Sequence, residues 1–127
     1  MQYNLAARIA YALIALAALG LTVRADSSDA SPASSPLPVA IQDFAFKPAT
    51  LYVPVGATVT WTNEDRPAHT ATSSGTVPQA FDSGDLQFNQ SWSFTFTKAG
   101  TYTYLCSDHP YMIGKIIVGA TAPPASP

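Results

Sequence analysis

The chain has 127 residues, with six Lys/Arg, eight Asp/Glu and two His, for a net charge of −2 at pH 7. That length is one domain's worth, and the few cations form no cluster able to neutralise phosphates, which argues against nucleic-acid binding. A single cysteine excludes an intrachain disulfide.

The first 25 residues read as an export signal. Met1–Arg8 carries one positive charge and no acid, Ile9–Val23 is an almost unbroken apolar run, and Val23-Arg24-Ala25 presents a cleavage site after Ala25. The run is shorter than the ~20 apolar residues that span a bilayer. An uncleaved anchor is the rival reading. No Cys follows the run, so a lipoprotein anchor has no attachment point. Removal of this segment leaves four basic residues (Lys47, Arg66, Lys98, Lys115) against all eight acids, an acidic mature chain of about −4. Asp26–Pro38 is rich in Ser, Pro and Asp and too poor in large apolar groups to offset its ordering entropy. Gly119–Pro127 repeats that composition, so the flanks 26–38 and 119–127 are expected to be flexible and the folded domain to span 39–118. So small a core benefits from a staple, and with one Cys that staple is not a disulfide.

Within 39–118 the hydrophobic period is two. Val39–Phe46 and Leu51-Tyr52-Val53 are β-type runs. Thr58–Thr62 places Val59 and Trp61 on one face, and Ser91–Thr97 does the same for Trp92, Phe94 and Phe96. Thr101–Cys106 aligns Tyr102, Tyr104 and Cys106, and Lys115–Val118 is a last short run. Turn signals at Pro48, Pro54-Val55-Gly56, Asn63–Pro67, Ser73–Gly75, Ser83-Gly84-Asp85 and Ala99-Gly100 separate these segments. The pattern predicts an all-β, two-sheet antiparallel sandwich of some seven or eight short strands.

A sandwich alone says nothing about function; the scarce side chains do. Beyond residue 25 the chain holds one Cys, two His and one Met, and three of these four lie in Cys106-Ser107-Asp108-His109-Pro110-Tyr111-Met112. The fourth, His69, follows the loop that ends the Trp61 strand. Singly, each has a plain reading: a buried small hydrophobe for Cys106, a core filler for Met112, a solvated loop residue for either His. Together, a thiolate, two imidazoles and a thioether make a soft, mixed N/S donor set, and a His2Cys plane with a weak axial Met is the blue-copper arrangement. Zinc is the competing metal, but it makes little use of a thioether. A strand ending at Cys106 and a tight turn can return His109 and Met112 to one ion, and Pro110 stiffens that turn.

The segment Tyr104-Leu-Cys-Ser-Asp-His-Pro-Tyr-Met-Ile-Gly-Lys-Ile-Ile-Val resembles the metal-binding end of the cupredoxins, the type 1 blue copper proteins, in their plastocyanin/amicyanin branch. Phe44-Ala-Phe-Lys-Pro, Val59-Thr-Trp-Thr-Asn and Phe94–Tyr104 resemble its strands, so the likeness covers essentially all of 39–118. Two residues between His109 and Met112 make the loop similar to that of amicyanin. The resemblance implies a Greek-key β-sandwich and one type 1 copper ion, Cu(I)/Cu(II), bound by His69, Cys106, His109 and Met112. It implies no enzymatic activity: the protein is expected to be a monomeric periplasmic carrier of single electrons, tethered to the membrane if the signal stays uncleaved. Its partners are expected to be periplasmic or membrane-surface redox proteins (a dehydrogenase, cytochrome or oxidase) docking near His109, at an apolar patch drawn from Pro67, Pro110, Tyr111 and Met112. Two positions depart from the family pattern. Thr70 stands where Asn is common: its backbone N–H can still hydrogen-bond the Cys106 sulfur, but a side-chain tether across the site is put in doubt. Asp108 stands where Pro is common in amicyanin-like loops, and its N–H is expected to donate a second hydrogen bond to the Cys106 sulfur.

Three other functions compete with this reading. A multicopper oxidase or nitrite reductase needs more His than the two present. A hydrolase using Cys106 as nucleophile with His69 or His109 as base leaves Met112 without a role. A metal storage or delivery module is the remaining alternative.

Overall fold

The computed structural model describes residues 35–121; the expected export signal, residues 26–34 of the Ser/Pro-rich segment and residues 122–127 lie outside the described residues. Eight strands follow in chain order: β1 Leu37–Gln42, β2 Ala45–Lys47, β3 Thr50–Val53, β4 Thr58–Asn63, β5 Thr72–Ser73, β6 Ser91–Thr95, β7 Gly100–Leu105 and β8 Ile113–Val118. They form two four-stranded sheets, β2-β1-β4-β6 and β3-β8-β7-β5. The first strand begins two residues before Val39, because Leu37 and Pro38 pair with Val59 and Thr60 of β4.

The sheets are mixed rather than purely antiparallel. The β1–β4 and β3–β8 pairs run parallel and the rest antiparallel. Parallel neighbours require crossover connections, and here the chain crosses to the other sheet and back between the partners. The Val39–Phe46 run is broken by a two-residue hairpin turn: Asp43 and Phe44 both take left-handed φ, 56° and 55°. That is the backbone of a type I′ turn, which matches the strand twist but favours Asn-Gly over Asp-Phe.

Alternation decides which side chains enter the core. Val39 and Ile41 of β1, Val59 and Trp61 of β4, Tyr102 and Tyr104 of β7, and Ile116 and Val118 of β8 are all buried. Trp92 and Phe94 are only partly buried, since β6 is an edge strand, whereas Phe96 just beyond it is fully enclosed. On the outer face of β4 and β6, Thr58–Thr95, Thr60–Ser93 and Thr62–Ser91 pair hydroxyl to hydroxyl at 2.7–2.8 Å.

The two sheets meet through aromatic rings. Trp61 packs on Tyr104, Phe81, Trp92 and Phe96, and Tyr104 also meets Phe46. Burial pushes the Tyr104 phenol above its ordinary pKa, so it stays neutral across the physiological range. Its ring lies directly over Gly114: a Cβ there would fall inside van der Waals contact of the ring carbons. Gly114→Ala is therefore expected to cost about 1–3 kcal/mol through overpacking, read as a lower urea midpoint at unchanged m-value. A wild-type midpoint would show that the ring yields freely.

Candidate metal centre

His69 is delivered by a loop whose shape Asn63 sets. The Asn63 side chain is fully buried at the end of β4. Its Nδ2 donates to the carbonyls of Pro67 and Leu86, both at 2.8 Å, and its Oδ1 accepts the N–H of Asp65 at 2.9 Å. The His69 backbone then exchanges hydrogen bonds with Leu86 in both directions, at 3.1 and 2.8 Å. His69 is 0% exposed, so its ring is fixed by these contacts rather than by solvent.

The tautomer of that ring follows from its neighbour. Asp65 Oδ2 lies 3.1 Å from His69 Nε2. Burial acts against the Asp65 carboxylate, but the N–H groups of Phe44 and Asp43 and the His69 ring outweigh it and hold its pKa below the ordinary range. An ionised carboxylate only accepts, so Nε2 carries a proton, and in the neutral ring Nδ1 is then the nitrogen with the free lone pair. Nδ1 points at Cys106 Sγ, 3.7 Å away.

The second segment closes on itself between adjacent strands. β7 ends and β8 begins at the Leu105–Ile113 pair. Between them the Cys106 carbonyl accepts the N–H of His109 at 3.3 Å, the His109 carbonyl accepts that of Met112 at 2.8 Å, and the Cys106 N–H donates to the Met112 carbonyl at 3.1 Å. Two successive turns thus return the chain to where it left β7, with His109 Nδ1 at 3.5 Å from Cys106 Sγ. Met112 is 2% exposed and Cys106 0%.

The donor atoms of His69, Cys106 and His109 all lie within 4.8 Å of one another. An ion held by a thiolate at ~2.3 Å and an imidazole at ~2.0 Å, with an in-plane angle near 120°, separates those donors by about 3.7 Å. The observed sulfur–nitrogen separations of 3.5 and 3.7 Å match that spacing. The donors are one soft sulfur and two borderline nitrogens, which suits copper. Met112, buried in the same closed loop, belongs to this neighbourhood through its backbone bonds to Cys106 and His109.

Two expectations change at the sulfur. Thr70 N–H donates to Cys106 Sγ at 3.3 Å; among the described residues it is the sulfur's backbone donor, and Asp108, exposed in the first turn of the loop, supplies none. The tether that Thr70 had put in doubt exists: Thr70 Oγ1 accepts the Ser107 N–H at 2.8 Å and lies 2.8 Å from Thr72 Oγ1, which donates to Asp82 Oδ1 at 3.0 Å. A threonine hydroxyl thus links the two ligand segments where a carboxamide is common. Thr70→Val removes it and is expected to cost about 1 kcal/mol in the metal-free protein, with Thr70→Ser recovering most of the loss. Equal urea midpoints for the Val and Ser variants would show that the hydroxyl contributes nothing.

The surface beside His109 also differs from expectation. His109 is partly exposed, Tyr111 is 69% exposed and Pro67 and Pro110 are exposed, but Met112 lies inside. The additional exposed apolar group is Phe44, whose ring centroid is 5.1 Å from those of both His69 and His109. Sequence reasoning missed Asn63, Asp65 and Phe44. The only available signal was the Asn-x-Asp pair at a strand end, a common turn former.

Comparison with known proteins bears on this geometry directly. The family described as copper binding proteins, plastocyanin/azurin family, matches residues 34–119. Amicyanin of Paracoccus denitrificans is 34% identical over 123 residues, covering 87% of this chain and 94% of that protein. Among solved structures, an amicyanin variant in its oxidized state superposes with a TM-score of 0.62 at 36% identity, over 65% of this chain and 81% of its own. A copper-containing nitrite reductase from Thermus scotoductus SA-01 gives a TM-score of 0.64 at 35% identity over 68% of this chain, but the chain spans only 23% of that protein.

Proposed function

Because the chain belongs to the plastocyanin/azurin family of copper-binding proteins, and is a non-enzymatic type 1 copper electron-transfer protein of the amicyanin kind, we propose that His69, Cys106, His109 and Met112 are the ligands through which it carries single electrons between exported or membrane-surface redox proteins. The observation that supports this most is the spacing of the Cys106 sulfur from the two Nδ1 atoms, 3.7 and 3.5 Å, a separation suited to a thiolate and an imidazole sharing one ion. Copper bound there supplies a one-electron Cu(II)/Cu(I) couple.

The protein's own part is to hold the donors still. Asp65 keeps the proton on His69 Nε2, Thr70 N–H fixes the sulfur, and the loop from Cys106 to Met112 is closed by three backbone hydrogen bonds. Ligands held this way need little rearrangement when the charge at the site changes, which favours rapid electron transfer. His109, the partly exposed member of the set, is the exit toward a docked partner, with Pro67, Phe44, Pro110 and Tyr111 as apolar surroundings. Export to the periplasm fits the apolar leader and the cleavage site after Ala25.

Adding Cu(II) to the purified protein is expected to give an intense blue colour that ascorbate bleaches and air restores. A colourless protein that prefers Zn(II) would refute the carrier reading in favour of metal storage. Pull-down of periplasmic proteins on the copper-loaded form identifies the partners.

A further inference from the structure

Phe44 occupies an unusual position for an aromatic residue. It is the second of two consecutive left-handed residues in the β1–β2 turn, at φ 55°. A bulky side chain at positive φ is a genuine outlier, and the turn would form more readily with glycine there. The ring does not recover the strain by entering the core, because Phe44 remains 39% exposed. Instead it stands nearly perpendicular to both imidazoles, at 87° to His69 and 86° to His109, with centroids 5.1 Å away in each case.

The turn is held from outside its own hairpin. Asp65, 21 and 22 residues further along the chain, accepts the Asp43 N–H on Oδ1 and the Phe44 N–H on Oδ2, both at 2.9 Å. Its Oδ2 also accepts from His69 Nε2 at 3.1 Å. One carboxylate therefore fixes the turn that aims the Phe44 ring and the imidazole that the ring meets. Strain retained at a site boundary and over-determined by its surroundings points to use.

We propose that Phe44 is a positioning residue of the metal centre: its ring, set by the Asp65-held turn, braces both imidazoles and shields His109 from water. The proposal rests on the reading of His69 and His109 as copper ligands. Of that pair His69 is already locked by Asp65 and by complete burial, so the ring matters most for His109, whose flank is partly open. Tyr111, at 6.0 Å from the His109 ring, is a more exposed and looser neighbour.

The discriminating variant is Phe44→Gly, which removes the ring while relieving the left-handed residue. A ring that merely filled space would leave the site unaffected and the fold equally stable or more so. Our expectation is a retained fold, with release of Cu(I) to a chelator accelerated by about 10-fold or more, the scale on which supporting residues act on metal sites, and a shifted reduction potential. Phe44→Leu, which keeps an apolar group but no ring, should fall between. Asp65→Ala should reproduce the faster release, with Asp65→Asn partly rescuing it. In the metal-free protein, the His109 ring signals of Phe44→Gly should broaden through exchange while those of His69 stay sharp. This arm holds whether or not copper binds as read: a wild type without blue copper overturns the ligand assignment, and with it the bracing of a copper ligand. A Phe44→Gly protein with wild-type release rate, potential and His109 line widths overturns the role of the ring alone.

Discussion

Cys106→Ser is expected to fold and yet to lose the intense visible absorption of the copper-loaded protein. Serine is nearly isosteric, and the buried position retains its polar surroundings: the Thr70 N–H donor at 3.3 Å and two imidazole nitrogens at 3.5 and 3.7 Å. A hydroxyl there keeps hydrogen-bond partners, so the stability of the metal-free protein should change by no more than about 1–2 kcal/mol. The chemistry changes far more. A thiol ionises on metal binding and offers a soft, polarisable donor, whereas a serine hydroxyl stays protonated near neutral pH and is hard. The sulfur-to-copper charge-transfer band vanishes with the thiolate, and Cu(II) held by His69, His109 and Met112 without it should be pale and weakly bound. Absorption and calorimetric titration with Cu(II) check both points. An unchanged blue band in the serine variant would falsify the assignment of Cys106.

The largest expected loss of stability is at Trp61. Its side chain is fully enclosed and meets Phe81, Trp92, Phe96 and Tyr104 at centroid distances of 5.6, 5.6, 6.3 and 5.5 Å. Because β4 and β7 belong to different sheets, the Trp61–Tyr104 contact is part of the seam between them. Truncation of a buried Trp to Ala costs about 3–5 kcal/mol, a large share of the ~5–15 kcal/mol that stabilises a typical domain. Trp61→Ala should therefore lose a large part of its margin in the metal-free state and regain stability on copper binding, since a ligand that binds only the folded form stabilises it by mass action. Trp61→Phe should lose much less. It keeps an aromatic body in the seam and removes the indole Nε1, which is buried without a hydrogen-bond partner. Equilibrium urea unfolding with and without Cu(II) measures the three proteins; a loss below about 1 kcal/mol for Trp61→Ala would mean that the seam repacks.

These two positions differ in how visible they are in the sequence. Trp61 announces its burial through the polar/apolar alternation of Thr58–Thr62, and the same period-two signal locates β7 and β8. Cys106, His69, His109 and Met112 stand out by scarcity: types so rare in the chain and so close in spacing are legible without coordinates. Asp65, Asn63 and Phe44 belong to common types, and their roles exist only across long separations, such as the 21 positions from Phe44 to Asp65. Periodicity reports which face of a strand is apolar but not which strand lies beside it. The parallel pairing of β1 with β4 and of β3 with β8 was therefore illegible, as was the two-residue β5. The hairpin at Asp43-Phe44 was hidden for another reason: its turn residues are the wrong ones locally, and a carboxylate from the loop after β4 compensates.

The complete enclosure of the Cys106 sulfur, 0% exposed, also bears on how this chain fails. A native molecule offers no thiol to another molecule, so two folded copies in aerated buffer cannot become covalently joined. Only a chain whose sandwich has opened presents the sulfur, and with one cysteine per chain the product of such an encounter is a linked pair and nothing larger. The amount of disulfide-linked pair on a non-reducing gel is thus a cumulative record of past unfolding, one that loading with copper should suppress.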